Sequence, residues 1–206
     1  MSKEKRVNPL LVFLLILVPI LLIVIVLLLA ALFKVSSNYN ALIEEQKVKE
    51  ENAIDYQNAY NNLVSGMLSD GASLEQNGNL IVSVWNNAIW QKQSDDTDKY
   101  TMKNGEFVSD FNDALGNLFE DEVFSSNMEI LSSNQQQIRA DMKTMTNPPE
   151  GYEDAYDSLK ELYDSYLAFS NTILNVNGSL ESFSKDFHDA DDTFISKYNN
   201  AELYVK

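Results

Sequence analysis

The stretch Leu10–Phe33, LLVFLLILVPILLIVIVLLLAALF, holds 24 residues without a charged or hydrogen-bonding side chain. At about 1.5 Å per helical residue it reaches roughly 36 Å, enough to cross a hydrocarbon core of about 30 Å with some tilt. Twenty-one of the residues are Leu, Ile, Val or Phe. At roughly −0.3 to −0.6 kcal/mol each, they favour insertion by about 6 to 13 kcal/mol. Pro19 costs about 3 kcal/mol in a helix interior and does not reverse that sum, so a kink is expected there and not a break.

The flanks give the orientation. Lys3, Lys5 and Arg6 precede the run, whereas only Lys34 touches its far end, with Lys47 and Lys49 more distant. The positive-inside bias makes residues 1–8 a cytoplasmic tail and 9–34 a transmembrane helix, and puts residues 35–206 outside. A secretory signal peptide has a shorter apolar region of about 7 to 15 residues, although Val35 and Ser37 stand where small residues would precede a cut before Asn38. The chain has no cysteine. That excludes a lipidated cysteine anchor, disulfides, thiolate metal sites and a cysteine nucleophile.

Residues 35–206 hold 11 basic and 30 acidic residues, a formal charge of −19. Nucleic acid is therefore not an expected partner, since phosphate binding needs a basic footprint, and anionic lipid is disfavoured for the same reason. A segment of this length is one domain with room for a real core.

Glu44 to Glu51 is polar on every face and free of Pro and Gly, which reads as a helical stalk over 35–52. Ala53, Tyr56, Tyr60, Leu63 and Met67 then open an apolar stripe, with a stop expected at Asp70-Gly71 and a loop or turn at Asn77-Gly78. Leu80, Val84 and Ala88 mark a second helix, flanked by Val82, Trp85 and Ile89. A polar connection, Gln93 to Gly105, leads to a short third helix through Phe107, Phe111, Leu115 and Leu118. Phe124, Met128, Leu131, Gln135, Ile138, Met142 and Met145 alternate in steps of four and three until Asn147-Pro148-Pro149 ends the helix. The next helix, Tyr152 to Val176, carries two apolar series side by side, a face wide enough for two neighbours. Asn177-Gly178 turns the chain, and Ser179 caps a last helix through Phe183, Phe187, Phe194 and Tyr198, with Glu181 too near to complete a capping box. Strand signals are weak. The expected class is all-α, with the transmembrane helix followed by an antiparallel helical bundle over 53–206.

Asn147-Pro148-Pro149, then Tyr152, Ala155, Tyr156, Leu159, Leu162-Tyr163 and Tyr166, then Gly178-Ser179-Leu180 and Ser182-Phe183 form a pattern that resembles a group of uncharacterised helical surface proteins of Gram-positive bacteria. Trp85, Asn87, Ile89, Phe107 and Phe111 to Leu115 fit the same group upstream, so the likeness covers roughly residues 50 to 200. It implies a membrane-tethered, extracytoplasmic helical domain. Such tethers are often a lipidated cysteine, in whose place this chain has a span. No catalytic or ligand residue carries over.

His188, the only histidine, lies four residues before Asp192 and could share a cation with it, but one imidazole among surface carboxylates is not a metal cage. Asp95, Asp96 and Asp98 lack the glycine and terminal glutamate of a calcium loop. No strand-turn-helix elbow surrounds any serine, which weighs against a hydrolytic triad with His188. Most aromatic residues fall on the core stripes; Trp85 and Trp90 are the candidates for surface recognition. Asn177-Gly178-Ser179 matches a glycosylation acceptor but reads better as a turn. No cofactor and no metal are expected. The chain reads as a non-catalytic binding or scaffolding module at the bacterial surface. Its partners are the bilayer, through residues 9–34, and an envelope protein. The rival readings are a sensor ectodomain, which the short tail disfavours, and an accessory subunit of a membrane or secretion complex; an envelope hydrolase is the weakest.

Overall fold

Asn8 and Pro9 start the first helix. The Asn8 side chain accepts a hydrogen bond from the Leu10 amide at 3.1 Å, and proline is suited to the first helical position because its missing N–H would have no partner there. The computed structural model describes residues 8–206, Leu11 by its backbone alone, so Lys3, Lys5 and Arg6 lie outside the described residues. The order of elements is α1 (Pro9–Trp90), α2 (Asp98–Thr101), β1 (Met102–Lys103), β2 (Glu106–Phe107), α3 (Phe111–Glu120), α4 (Glu122–Thr144), α5 (Glu153–Leu174) and α6 (Leu180–Glu202). The chain divides into two compact units, Met1–Asn52 and Ala53–Lys206.

In the first unit the described residues from Pro9 onward are helical, and the helix passes through Pro19. The apolar side chains are exposed, from 43% at Val12 to 79% at Phe33. This N-terminal helix is long and apolar enough to cross a membrane.

In the second unit α1 corrects the expected stop at Asp70-Gly71 and the expected loop at Asn77-Gly78, since the helix continues through both. Its core stripe keeps the alternation of four and three: Tyr56, Tyr60, Leu63, Met67, Leu74, Ile81, Val84 and Ala88 are buried, with Asp70 and Asn77 filling the two remaining places. Gly71 and Gly78 are packing positions. A Cβ on either would collide with a buried ring, Phe194 at Gly71 and Phe187 at Gly78. Both pairs are seven residues apart, so two rings of α6 sit on two bare turns of α1.

Along the α1–α6 contact the α6 numbers fall as those of α1 rise. Tyr60 donates to the Ala201 carbonyl at 2.7 Å, Gly71 meets Phe194, Gly78 meets Phe187, and the rings of Trp85 and Phe183 are 6.1 Å apart. Against α4 the sense is the same, from Tyr56 donating to the Met145 carbonyl at 3.3 Å to Asn134 donating to Asp70 at 2.8 Å. Against α5 the numbers rise together, with Tyr56 beside Tyr152 and Tyr166 donating to Asp70. Phe169 joins α5 to Phe187 and Phe194 of α6, at ring separations of 6.0 and 5.8 Å.

Three local expectations are corrected. Phe107 belongs to β2, and α3 begins only at Phe111, after Asp110 caps it by accepting from the Asn112 amide. The connection after Gln93 holds the one-turn α2 and a two-residue hairpin, Met102 opposite Phe107, closed by Asn104-Gly105 with both residues at positive φ. The last helix does have a capping box, built by Ser182 and not by an acid: the Ser179 hydroxyl accepts from the Ser182 amide and the Ser182 hydroxyl accepts from the Ser179 amide.

Candidate functional site: the polar seam between α1 and α4

Beside its core stripe α1 carries a second row at the same spacing: Asn62, Gly66, Ser69, Ser73, Gln76 and Leu80, continued by Ser83 and Asn87. Helical residues three and four apart share a face, so this row is one continuous strip. On α4 the row Asn127, Ile130, Asn134, Gln137, Asp141 and Thr144 alternates in the same way. The two strips line a run of adjoining cavities. The lower one, about 560 Å³, lies between Ala59 and Thr144. A middle one of about 120 Å³ shares Asp70 and Asn134 with it, and shares Asn77 and Asn127 with an upper one of about 620 Å³.

Where apolar neighbours would have closed the interface, small and amide side chains leave it open. Asp70, 6% exposed, is the buried charge of the seam. Its two carboxylate oxygens accept from Asn134 Nδ2 and from the Tyr166 hydroxyl, both at 2.8 Å. Burial first, and this bond second, hold the Tyr166 phenol well above its ordinary range. Gln137 donates to Asp141 at 2.8 Å. In the upper cavity Asn87 donates to the Thr97 hydroxyl at 2.9 Å, and Lys99 lies 4.4 Å over the Tyr100 ring and 3.0 Å from Asp121. The Asp121 carboxyl is held below the usual range by the Phe124 amide and by Lys99, the former because Asp121 caps α4.

The residues singled out in the sequence fall elsewhere. Trp85 is buried, packed between Phe111 and Phe183, so it is a core residue and not a surface one. Trp90, the last residue of α1, is 65% exposed. The two are not brought together at one surface. His188 and Asp192 are exposed on α6, and among the described residues no group of three or more His, Cys, Asp or Glu is placed to hold a metal ion. Asp98 accepts from the Ser94 amide at 2.8 Å, the work of a loop carboxylate. Gly178 takes φ +84° at the turn before α6. No family model matches this chain, and neither does any curated protein or solved structure.

The seam escapes a search for apolar periodicity because its rows are polar. The signal that finds it is the same alternation of four and three, followed through Asn62, Ser69, Ser73, Gln76, Ser83 and Asn87 without regard to polarity.

Proposed function

We propose that the protein is a single-pass, N-in membrane protein that holds an antiparallel helical bundle outside the cell as a non-catalytic binding or scaffolding module. The observation that carries this reading is the seam, an open strip of amides and hydroxyls along two helices, which suits recognition through many modest hydrogen bonds. Lys3, Lys5 and Arg6 ahead of the apolar run support the orientation. The strongly acidic domain supports a protein or small-molecule partner over nucleic acid.

Crosslinking on intact cells tests the module. One specific envelope protein is expected with the native chain and is expected to be lost when Ser69→Trp fills the seam; recovery of the same proteins from both rejects the seam as the recognition surface. Protease added to intact cells is expected to remove residues 53–206. A domain that survives this but is cut from the cytoplasmic side reverses the topology.

A further inference from the structure

Gly66 is a helix-interior glycine without a packing or backbone reason. Its φ is not positive, and a Cβ placed on it meets nothing within 4 Å, whereas Gly71 and Gly78 each carry a ring. Glycine in a helix interior costs stability relative to alanine, and here that cost leaves open space over the backbone on the wall of the lower cavity. The volume, about 560 Å³, falls within the range of small-molecule sites, roughly 300 to 1,000 Å³. The cavity's charges are all of one sign: Asp70 and Asp141 line it, and no Lys, Arg or His does. The donors to Asp70 are a phenol and an amide, both neutral, and among the described ion pairs none includes Asp70 or Asp141. Each Asp70 oxygen keeps a second lone pair, and a buried carboxylate gains most from a cation that reaches it. Ala59, Leu63 and Ile138 offer apolar wall beside these carboxylates, as a methylene chain requires.

We propose that the lower cavity seats an alkylammonium group, its charge at Asp70 and its methylene chain running over Gly66 towards Asp141. The inference rests on the reading of the domain as a binding module. Two sources share this chemistry, a free polyamine and the lysine side chain of a protein.

The test is calorimetric titration of the full chain, in nanodiscs of zwitterionic phosphatidylcholine, with spermidine and with Nα-acetyl-lysine methylamide. Salt at about 0.15 M screens surface attraction beyond roughly 8 Å. Saturable one-to-one binding is expected, weakened about tenfold or more, a loss of at least 1.4 kcal/mol, by Gly66→Leu. That substitution leaves the net charge unchanged, so general attraction to an acidic surface does not imitate its effect. Asp141→Asn, at a part-exposed position, is expected to weaken binding by several-fold, and it decides the matter if the leucine variant does not fold. Tighter binding of spermidine points to a free polyamine, and tighter binding of the capped lysine to a protein side chain. Absence of saturable binding by both probes overturns the proposal, as does an affinity that neither substitution changes. If both amines fail while seam variants still abolish the crosslinked partner, the module reading stands and only the ligand class falls.

Discussion

Phe194 places Cε1 and Cζ of its ring where the Cβ of residue 71 would stand, so the α6 ring and the α1 backbone are in direct contact. One heptad away Phe187 does the same at Gly78, with Ile173 Cδ1 at 2.9 Å from the same position. Two residues that look like chain breakers are thus places where a ring of α6 packs directly on the α1 backbone.

Gly71→Ala and Gly78→Ala are therefore expected to destabilise the bundle although alanine is the better helix former. Overpacking a core costs about 1 to 3 kcal/mol, against a propensity gain of about 1 kcal/mol. Gly78→Ala is expected to cost more, because Ile173 must also move. Gly66→Ala, with free space above it, is expected to gain about 0.5 to 1 kcal/mol. Urea unfolding followed by near-ultraviolet circular dichroism of the buried aromatics compares the three variants. Equal gains at all three positions would place the rings elsewhere.

The bond from Tyr166 to Asp70 ties α5 to the seam. Tyr166→Phe leaves the buried carboxylate with Asn134 alone, and losing a hydrogen bond to a charged group is expected to cost about 1.5 to 3 kcal/mol. Asp70→Leu combined with Tyr166→Phe is expected to cost less than the sum of the two single changes, because no unsatisfied charge remains buried. Strict additivity in that double-mutant cycle would show that the two side chains do not act as a pair.

Alkaline pH attacks the same core. Burial is the main cause that pushes the Tyr56 phenol up to about 12 and holds Tyr60 and Tyr166 higher still. A phenol whose folded value is raised keeps its proton longer when folded than when unfolded. Stability is then independent of this effect below about pH 10 and falls as pH rises above it, by up to about 1.4 kcal/mol per pH unit for each such tyrosine. Ultraviolet titration of phenolate is expected to show these three ionising together with loss of near-ultraviolet dichroism. Reversible ionisation of all ten tyrosines at an intact fold would contradict their burial.

Which features were legible follows from which forces act locally. The helix α5 is observed over Glu153–Leu174 against an expected Tyr152 to Val176, because its apolar series and the preceding Pro148-Pro149 are local signals. The continuity of α1 was hidden, since Asp-Gly and Asn-Gly are turn dipeptides and only the distant Phe194 and Phe187 make helix the better state. The hairpin was readable in principle: Asn104-Gly105 is a favoured two-residue loop, but strands of two residues give no periodicity. Trp85 and Trp90 are alike in type and five residues apart, yet one is core and the other surface, a distinction set by the positions of Phe111 and Phe183.

Asp191 shows the acidic surface acting against the fold. Partial burial first, then the charges of Glu75 on α1 and Asp192 on its own helix, raise its carboxyl above the ordinary value of 3.8, while His188 acts the other way. For an acid with a raised folded value, the folded state binds more protons than the unfolded one, so stability falls as pH rises through the window above 3.8. Asp191→Asn is thus expected to stabilise the bundle at pH 7, by less than about 1 kcal/mol because solvent screens a part-exposed site. The advantage should disappear below pH 3.8, where the native carboxyl is itself neutral. Thermal midpoints of the two proteins at neutral and acidic pH measure the difference, and a lower midpoint for Asp191→Asn at pH 7 would mean that the carboxylate is held by a favourable contact and not opposed by Glu75.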